Sequence, residues 1–295
     1  MPELPEVETI ARGLDRRVKG DTIERIWLGE KPEPLKSSPQ EIAEAVEGTR
    51  IESVRRVGKQ MVIDLSRDTK RGKREVSARG AKLARPILAR PIEAQWIIHL
   101  GMTGRMLVTE GDTERAPHTH AVAQLKSGRE LHFVDPRRFG RLSVVRIGNE
   151  GTGFRGTGVE PLTVDTDDFA ALFRRRKTPI KSALLNQKLL HGVGNIYADE
   201  ALFRAKVRPT RRAASLTRAE LERLRVALQE VLREAIKLGG SSVSDYVDAE
   251  GNEGFFQLRH NVYLRTGKPC RRCGTPIKRT TVAGRGTHYC PHCQH

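Results

Sequence analysis

The chain has 295 residues, 37% of them hydrophobic, and carries 53 Lys and Arg against 36 Asp and Glu, a formal net charge of +17. That is enough apolar material for about two domains with a substantial core, which excludes a disordered tail. The cationic excess calls for a polyanionic partner, nucleic acid before an anionic membrane surface. No apolar run of about 18 residues is present to span a bilayer and no apolar N-terminal stretch directs secretion, so the expected location is cytoplasmic.

In chain order, the first informative stretch is Met1-Pro2-Glu3-Leu4-Pro5-Glu6. A proline at position two is small enough that Met1 is expected to be trimmed, leaving Pro2 as a free secondary amine beside two carboxylates. Amines of this kind attack aldehydes. Pro5 suits a first helical turn, Glu6 and Glu8 suit its positive end, and Val7, Ile10, Ala11 and Leu14 make an apolar stripe, so one helix is predicted to hold the N-terminus.

From Thr22 to Val145 the pattern reads as β. Ile51–Val54, Met61–Leu65, Trp96–Leu100, Ala121–Leu125 and Leu131–Val134 are short apolar or alternating runs, and several short strands predict a sandwich or barrel. Over about 67–92 lies a basic stretch, and nine residues from Arg67 to Arg90 are Lys or Arg. It either adds nonspecific affinity for a polyanion or is a solvated insertion, since charge runs usually stay in water. A shallower salt dependence of binding after its deletion would favour the first.

From Thr166 to Leu238 the pattern turns helical. Thr217-Arg218-Ala219-Glu220 is a capping box ahead of Leu221, Leu224, Leu228, Val231, Leu232 and Ile236, with Gly239-Gly240 as a stop. Upstream, Ala183–Leu185 and Ala198–Phe203 suggest two helices separated by His191-Gly192-Val193-Gly194-Asn195, a tight turn whose backbone N–H groups could meet a phosphate. The tail holds all four cysteines, Cys270, Cys273, Cys290 and Cys293, as two CxxC pairs. Their spacing is that of a zinc ribbon, and four thiolates leave no open position, so the ion is expected to be structural. Two disulfides are the alternative, disfavoured in a reducing compartment.

Met1–Glu8, His99-Leu100-Gly101-Met102, Asp135-Pro136-Arg137-Arg138-Phe139-Gly140, Gly192–Ala198 and the four-cysteine tail together resemble bacterial formamidopyrimidine-DNA glycosylases, nearly end to end and in order. The resemblance implies an α+β multidomain fold: an N-terminal β-sandwich with flanking helices over 1–148, a linker over 149–165, a helix-two-turn-helix domain over 166–258 and a zinc finger over 259–295. It also implies a monomer that binds duplex DNA, excises oxidised purines such as 8-oxoguanine and formamidopyrimidines, and cleaves the strand.

Residue by residue, it makes Pro2 the nucleophile at the sugar C1′ and Glu3 the acid/base carboxylate. Lys59 matches a strand lysine that contacts phosphate and donates a proton in β-elimination, and Arg285 matches the finger arginine that aids δ-elimination. Met102, Arg137 and Phe139 match a triad inserted where the damaged base leaves the stack; by spacing alone the two apolar members would more often be core residues. His118, Arg137, Arg176, Lys181 and Asn195 match phosphate anchors. A loop running from Ser241–Tyr246 to Gly254–Phe256 matches one that covers the everted base. An endonuclease VIII-type enzyme for oxidised pyrimidines is one alternative, and a noncatalytic zinc-ribbon DNA-binding protein is another; the latter would have no need of Pro2, Glu3 or Lys59.

Overall fold

The computed structural model describes residues 1–67, 91–148, 153–242 and 246–295. Nearly all of the basic stretch, the first four residues of the expected linker and three residues of the expected loop, 243–245, lie outside the described residues. The first half runs α1 (Leu4–Val18), β1 (Thr22–Leu28), α2 (Pro39–Val46), β2 (Thr49–Val57), β3 (Gln60–Ser66), β4 (Ala94–His99), β5 (Arg105–Glu110), β6 (Thr119–Leu125), β7 (Arg129–Val134) and β8 (Arg141–Arg146). α1 forms as its stripe predicts, burying Val7, Ile10, Ala11, Leu14 and Val18. α2 was not legible in the sequence, because at eight residues it shows hardly two turns of periodicity; a capping box holds it, with Glu41 N donating to Ser38 Oγ at 3.2 Å and Ser38 N to Glu41 Oε2 at 2.8 Å.

The strands form one antiparallel sheet in the order β5-β7-β6-β1-β2-β3-β4-β8. β1 meets β2 through only two residue pairs, Thr22 with Arg50 and Ile23 with Thr49, so the sheet divides there into two four-stranded halves. Met61, Ile63, Trp96 and Ile98 from one half and Met106, Ala121, Leu131 and Phe133 from the other share a single core with α1. This is sandwich packing, with β1, β5 and β8 added to the five strands expected.

The second half contains α3 (Thr166–Phe173), α4 (Ile180–Leu184), α5 (Asn195–Arg204), α6 (Arg218–Lys237) and the hairpin β9 (Lys278–Val282) with β10 (Arg285–Tyr289). Its core joins all four helices and includes Leu4 from the N-terminus, while Tyr246 and Ala249 lie in the core of the first half. Each half thus inserts side chains into the other. The hairpin segment docks on α5 through Phe203, Val262, Cys270, Ile277 and Cys290, and the Glu200 carboxylate accepts the backbone N–H groups of Asn261, Val262 and Tyr263 at 2.9–3.0 Å. Among the described residues no helix is long and apolar enough to cross a membrane.

Candidate active site

The N-terminus is clamped where the two halves meet. Leu4 N donates to Gly192 O at 3.0 Å, and Pro2 and Glu3 are buried while Met1 stands exposed. Met1 and Pro2 line a small cavity together with Glu6, Met102, Ile196, Ser241 and Tyr246, so residues from both halves gather around Pro2. With Met1 attached the Pro2 nitrogen is an amide without a proton; its removal would create a secondary amine inside the cavity.

Glu3 caps two helices at once. It is the residue ahead of α1, and its side chain reaches the start of α5, where Ile196 N donates to Oε1 at 3.3 Å. A Cβ on residue 194 would lie 2.0 Å from Glu3 Cδ, so only glycine there lets the carboxyl in. Oε2 has no hydrogen-bond partner among the described residues. Burial pushes the Glu3 pKa up to about 7, although the Lys59 charge draws it down. A carboxyl with this pKa can both hold and release a proton near neutral pH.

Glu6, read in the sequence only as a helix-start carboxylate, supports this arrangement. Its Oε2 accepts Glu3 N at 2.8 Å, and its Oε1 accepts Ser241 N at 2.8 Å together with the Tyr197 hydroxyl. Burial raises the pKa of both Glu6 and Tyr197. The network joins α1, α5 and the segment after α6, and sequence reasoning, which placed Tyr197 and Ser241 in matched motifs, missed their bonds to Glu6 because nothing in their local pattern shows a partner about 190 or more residues away.

Lys59 departs from the expected strand. It is the second residue of the two-residue turn between β2 and β3, where Val57 pairs with Gln60 and Gly58 has φ +63°, the glycine-first arrangement of a type II′ hairpin. Burial lowers its pKa, Glu3 and Glu6 oppose that, and Arg285 lowers it further. It lines a cavity of about 260 Å³ with His99, Arg155, Gln187 and His191. His99 is pushed down to about 4, first by burial and then by Arg141 and Lys59. Arg285 opens β10 after Ala283 and Gly284, whose φ values of +49° and +71° make a tight hairpin that leaves the arginine exposed.

The four cysteine sulfurs lie within 4.8 Å of one another, with Cys270 to Cys293 at 4.0 Å and Cys273 to Cys290 at 3.5 Å. Tetrahedral zinc–thiolate bonds of about 2.3 Å require sulfurs about 3.8 Å apart, so the donor set fits one zinc ion with no position left for substrate. Arg272 N and Cys293 N point at Cys270 Sγ and Cys290 Sγ, each at 3.4 Å, which would orient the thiolates toward the metal.

Met102 and Phe139 are not core residues: they are 41% and 52% exposed, and the Arg137 guanidinium sits 4.8 Å from the centre of the Phe139 ring. Large apolar side chains held in solvent beside an arginine mark a contact surface.

Three family models match the chain: the formamidopyrimidine-DNA glycosylase N-terminal domain over residues 1–142, the H2TH domain of the same enzymes over 157–247, and the zinc finger found in FPG and IleRS over 267–295. The chain belongs to the formamidopyrimidine-DNA glycosylase family. The formamidopyrimidine-DNA glycosylase of Herpetosiphon aurantiacus is 42% identical over 297 residues, and that of Gluconobacter oxydans 40% over 304, each over the whole of both chains. Among solved structures, Thermus thermophilus MutM (FPG) is 42% identical with a TM-score of 0.79, covering 99% of this chain and 98% of its own. A Lactococcus lactis FPG mutant in complex with Fapy-dG-containing DNA is 31% identical with a TM-score of 0.82, over all of both chains.

The residues that match the family's phosphate anchors separate into two groups. His118, Arg137 and Arg176 are exposed. Lys181 is not available to a phosphate: its ammonium is fully buried, paired with Asp199 Oδ1 at 2.6 Å, and donates to Gly286 O at 3.0 Å and Thr287 Oγ1 at 2.8 Å. Asn195 is half-buried and likewise gives its Nδ2 to Gly286 O at 3.0 Å. The expected phosphate-binding turn is also partly turned inward, since Gly192 N donates to Gln187 Oε1 at 2.8 Å and Ile196 N to Glu3.

Proposed function

We propose that this DNA repair glycosylase excises oxidised purines, 8-oxoguanine and formamidopyrimidines, from duplex DNA through an imine at Pro2 and then cleaves the strand by β,δ-elimination. AP lyase activity is a general property of its family. The observation that carries the reading is the buried Glu3 carboxyl on the residue next to Pro2, seated against the start of α5 with Ile196 N at 3.3 Å, where burial also pushes its pKa up to about 7. A bond forms from Pro2 N to C1′ as the bond from C1′ to the base breaks, and loss of the amine proton with opening of the sugar ring gives a cationic iminium. Glu3 is placed to deliver a proton to the ring oxygen or the leaving base. The iminium withdraws electrons, so a C2′ proton can depart with the 3′ phosphate; a second elimination releases the 5′ phosphate, and hydrolysis frees Pro2. Lys59 and Arg285, close enough to affect each other's charge, would supply cationic character to these eliminations.

Eversion of the base leaves a hole in the stack at a cost of a few kcal/mol, and Met102, Arg137 and Phe139 would fill it. His118 and Arg176 would hold the backbone. Zinc, held by the four cysteines, keeps β9 and β10 folded and so supports Arg285. A Lactococcus lactis Fpg with a TM-score of 0.80 was solved with oxidised-pyrimidine DNA, so both lesion classes belong in the test. Duplexes carrying 8-oxoguanine opposite cytosine, or an oxidised pyrimidine, are incubated with and without borohydride. A trapped adduct and cleavage favouring 8-oxoguanine, lost in Pro2→Gly, are expected. Preference for the pyrimidine would move the chain to endonuclease VIII-type specificity, and binding without an adduct would remove the imine mechanism.

A further inference from the structure

The turn that carries Met102 follows β4, and the loop that carries Arg137 and Phe139 joins β7 to β8. One buried side chain bonds to both. Asp135 Oδ1 accepts the Thr103 hydroxyl at 2.7 Å and Arg137 N at 3.3 Å, and its Oδ2 accepts Gly140 N at 2.7 Å. Its backbone is fixed as well, with its N–H donating to His118 O at 3.0 Å and its C=O accepting from His120 Nε2 at 3.0 Å. The two loops touch without slack: a Cβ on Gly101 would lie 2.5 Å from Gly140 N and from Phe139 C. A carboxylate suits the position because all three partners of its side chain are donors, and only an acceptor at both oxygens satisfies them.

We propose that Asp135 is a positioning residue that locks these two loops into a single wedge, so that Met102, Arg137 and Phe139 enter the DNA stack at a set spacing. This rests on the reading that those three residues fill the space left by the everted nucleotide. Asp135 touches neither the substrate nor the reacting atoms; it acts through Thr103, Arg137 N and Gly140 N.

Asp135→Asn keeps the size but turns an NH2 group toward a donor, and Thr103→Val removes the bond to the Met102 turn alone. Two reactions separate positioning from general damage: single-turnover excision from an 8-oxoguanine duplex, and cleavage of a single-stranded oligonucleotide that already carries an abasic site, where no stack has to be filled. Asp135→Asn should slow the duplex reaction by about 10- to 100-fold and Thr103→Val by about 3- to 10-fold, the sizes expected when a buried charged acceptor loses one or more partners. Single-stranded cleavage should stay at the unsubstituted rate. Unchanged duplex excision in Asp135→Asn overturns the proposal, and so does an equal loss on both substrates in Thr103→Val, the milder variant that serves if Asp135→Asn does not fold. Met102→Ala and Phe139→Ala run alongside. If they too leave duplex excision unchanged, the stack-filling reading itself has failed, a result distinct from failure of Asp135 alone.

Discussion

Two lysines beside the same groups have opposite circumstances. Lys181, on α4, is enclosed by an ion pair to Asp199 and two further acceptors from β10. Lys59, in a two-residue turn, makes no hydrogen bond or ion pair among the described residues and feels Glu3, Glu6 and Arg285 only through their charge. Burial lowers the pKa of both, but at Lys181 the adjacent Asp199 pulls against it. An ammonium held by an ion pair and two hydrogen bonds is structural; one that is desolvated and unpaired is available for chemistry. The difference shows that matching a motif lysine says nothing about which of the two it is.

Metal removal should separate them most widely. Chelation would withdraw zinc, whose binding is worth about 10–16 kcal/mol in comparable modules, unfold the β9–β10 hairpin and strip Lys181 of Gly286 and Thr287. Hydrogen exchange should then show α4 and α5 deprotected while α1 and β2 stay protected; uniform deprotection would mean that the two sites are not separately supported. Next in size, Lys181→Met should cost about 3–5 kcal/mol in denaturant unfolding because Asp199 is left buried without its ammonium partner, keeping only His288 N at 2.8 Å and His288 Nδ1 at 3.2 Å on its other oxygen, and adding Asp199→Leu should recover part of it. Undiminished stability in the single variant would break the comparison.

Lys59→Met should do the reverse, leaving stability within about 0.5 kcal/mol of the parent. Strand cleavage should fall about 10²–10⁴-fold, the range for a lost proton-transfer group. The smallest effect is read through pH. Glu3 has its pKa raised from 4.5 to about 7 in the folded chain, so the folded state holds a proton that the unfolded state has lost between these values. That stability is fully present below about 4.5 and disappears as pH rises through about 7, up to about 3 kcal/mol in all. Glu3→Gln should flatten the pH dependence of unfolding across this window, and an unaltered slope would assign the dependence to another group.

Much of the fold was legible from local pattern. The α1 stripe, the Thr217 capping box and the short apolar or alternating runs of β2, β3, β4, β6 and β7 are local signals, and each produced the element expected. α2, β1, β5 and β8 were not legible, being only six to eight residues long and stabilised by neighbours distant in sequence. The CxxC pairs and the Pro2-Glu3 start were readable because their chemistry lies in residue type and spacing.

What the sequence determined by itself was therefore the parts: an N-terminal amine beside carboxylates, a zinc-binding tail, a basic chain of two dissimilar halves, and motifs resembling one enzyme family. What only the tertiary structure decided was how each part is used. Glu3 has a near-neutral pKa because the start of α5, bare of a side chain at Gly194, closes over it. Lys181 is withdrawn from phosphate because Asp199, four residues into α5, meets it from another helix. Met102 and Phe139 stay in solvent because Asp135 and Gly101 pin their loops outside the core. Residue type sets what a group can do; desolvation and partners far along the chain set which of those capacities remains, and neither is written in local spacing.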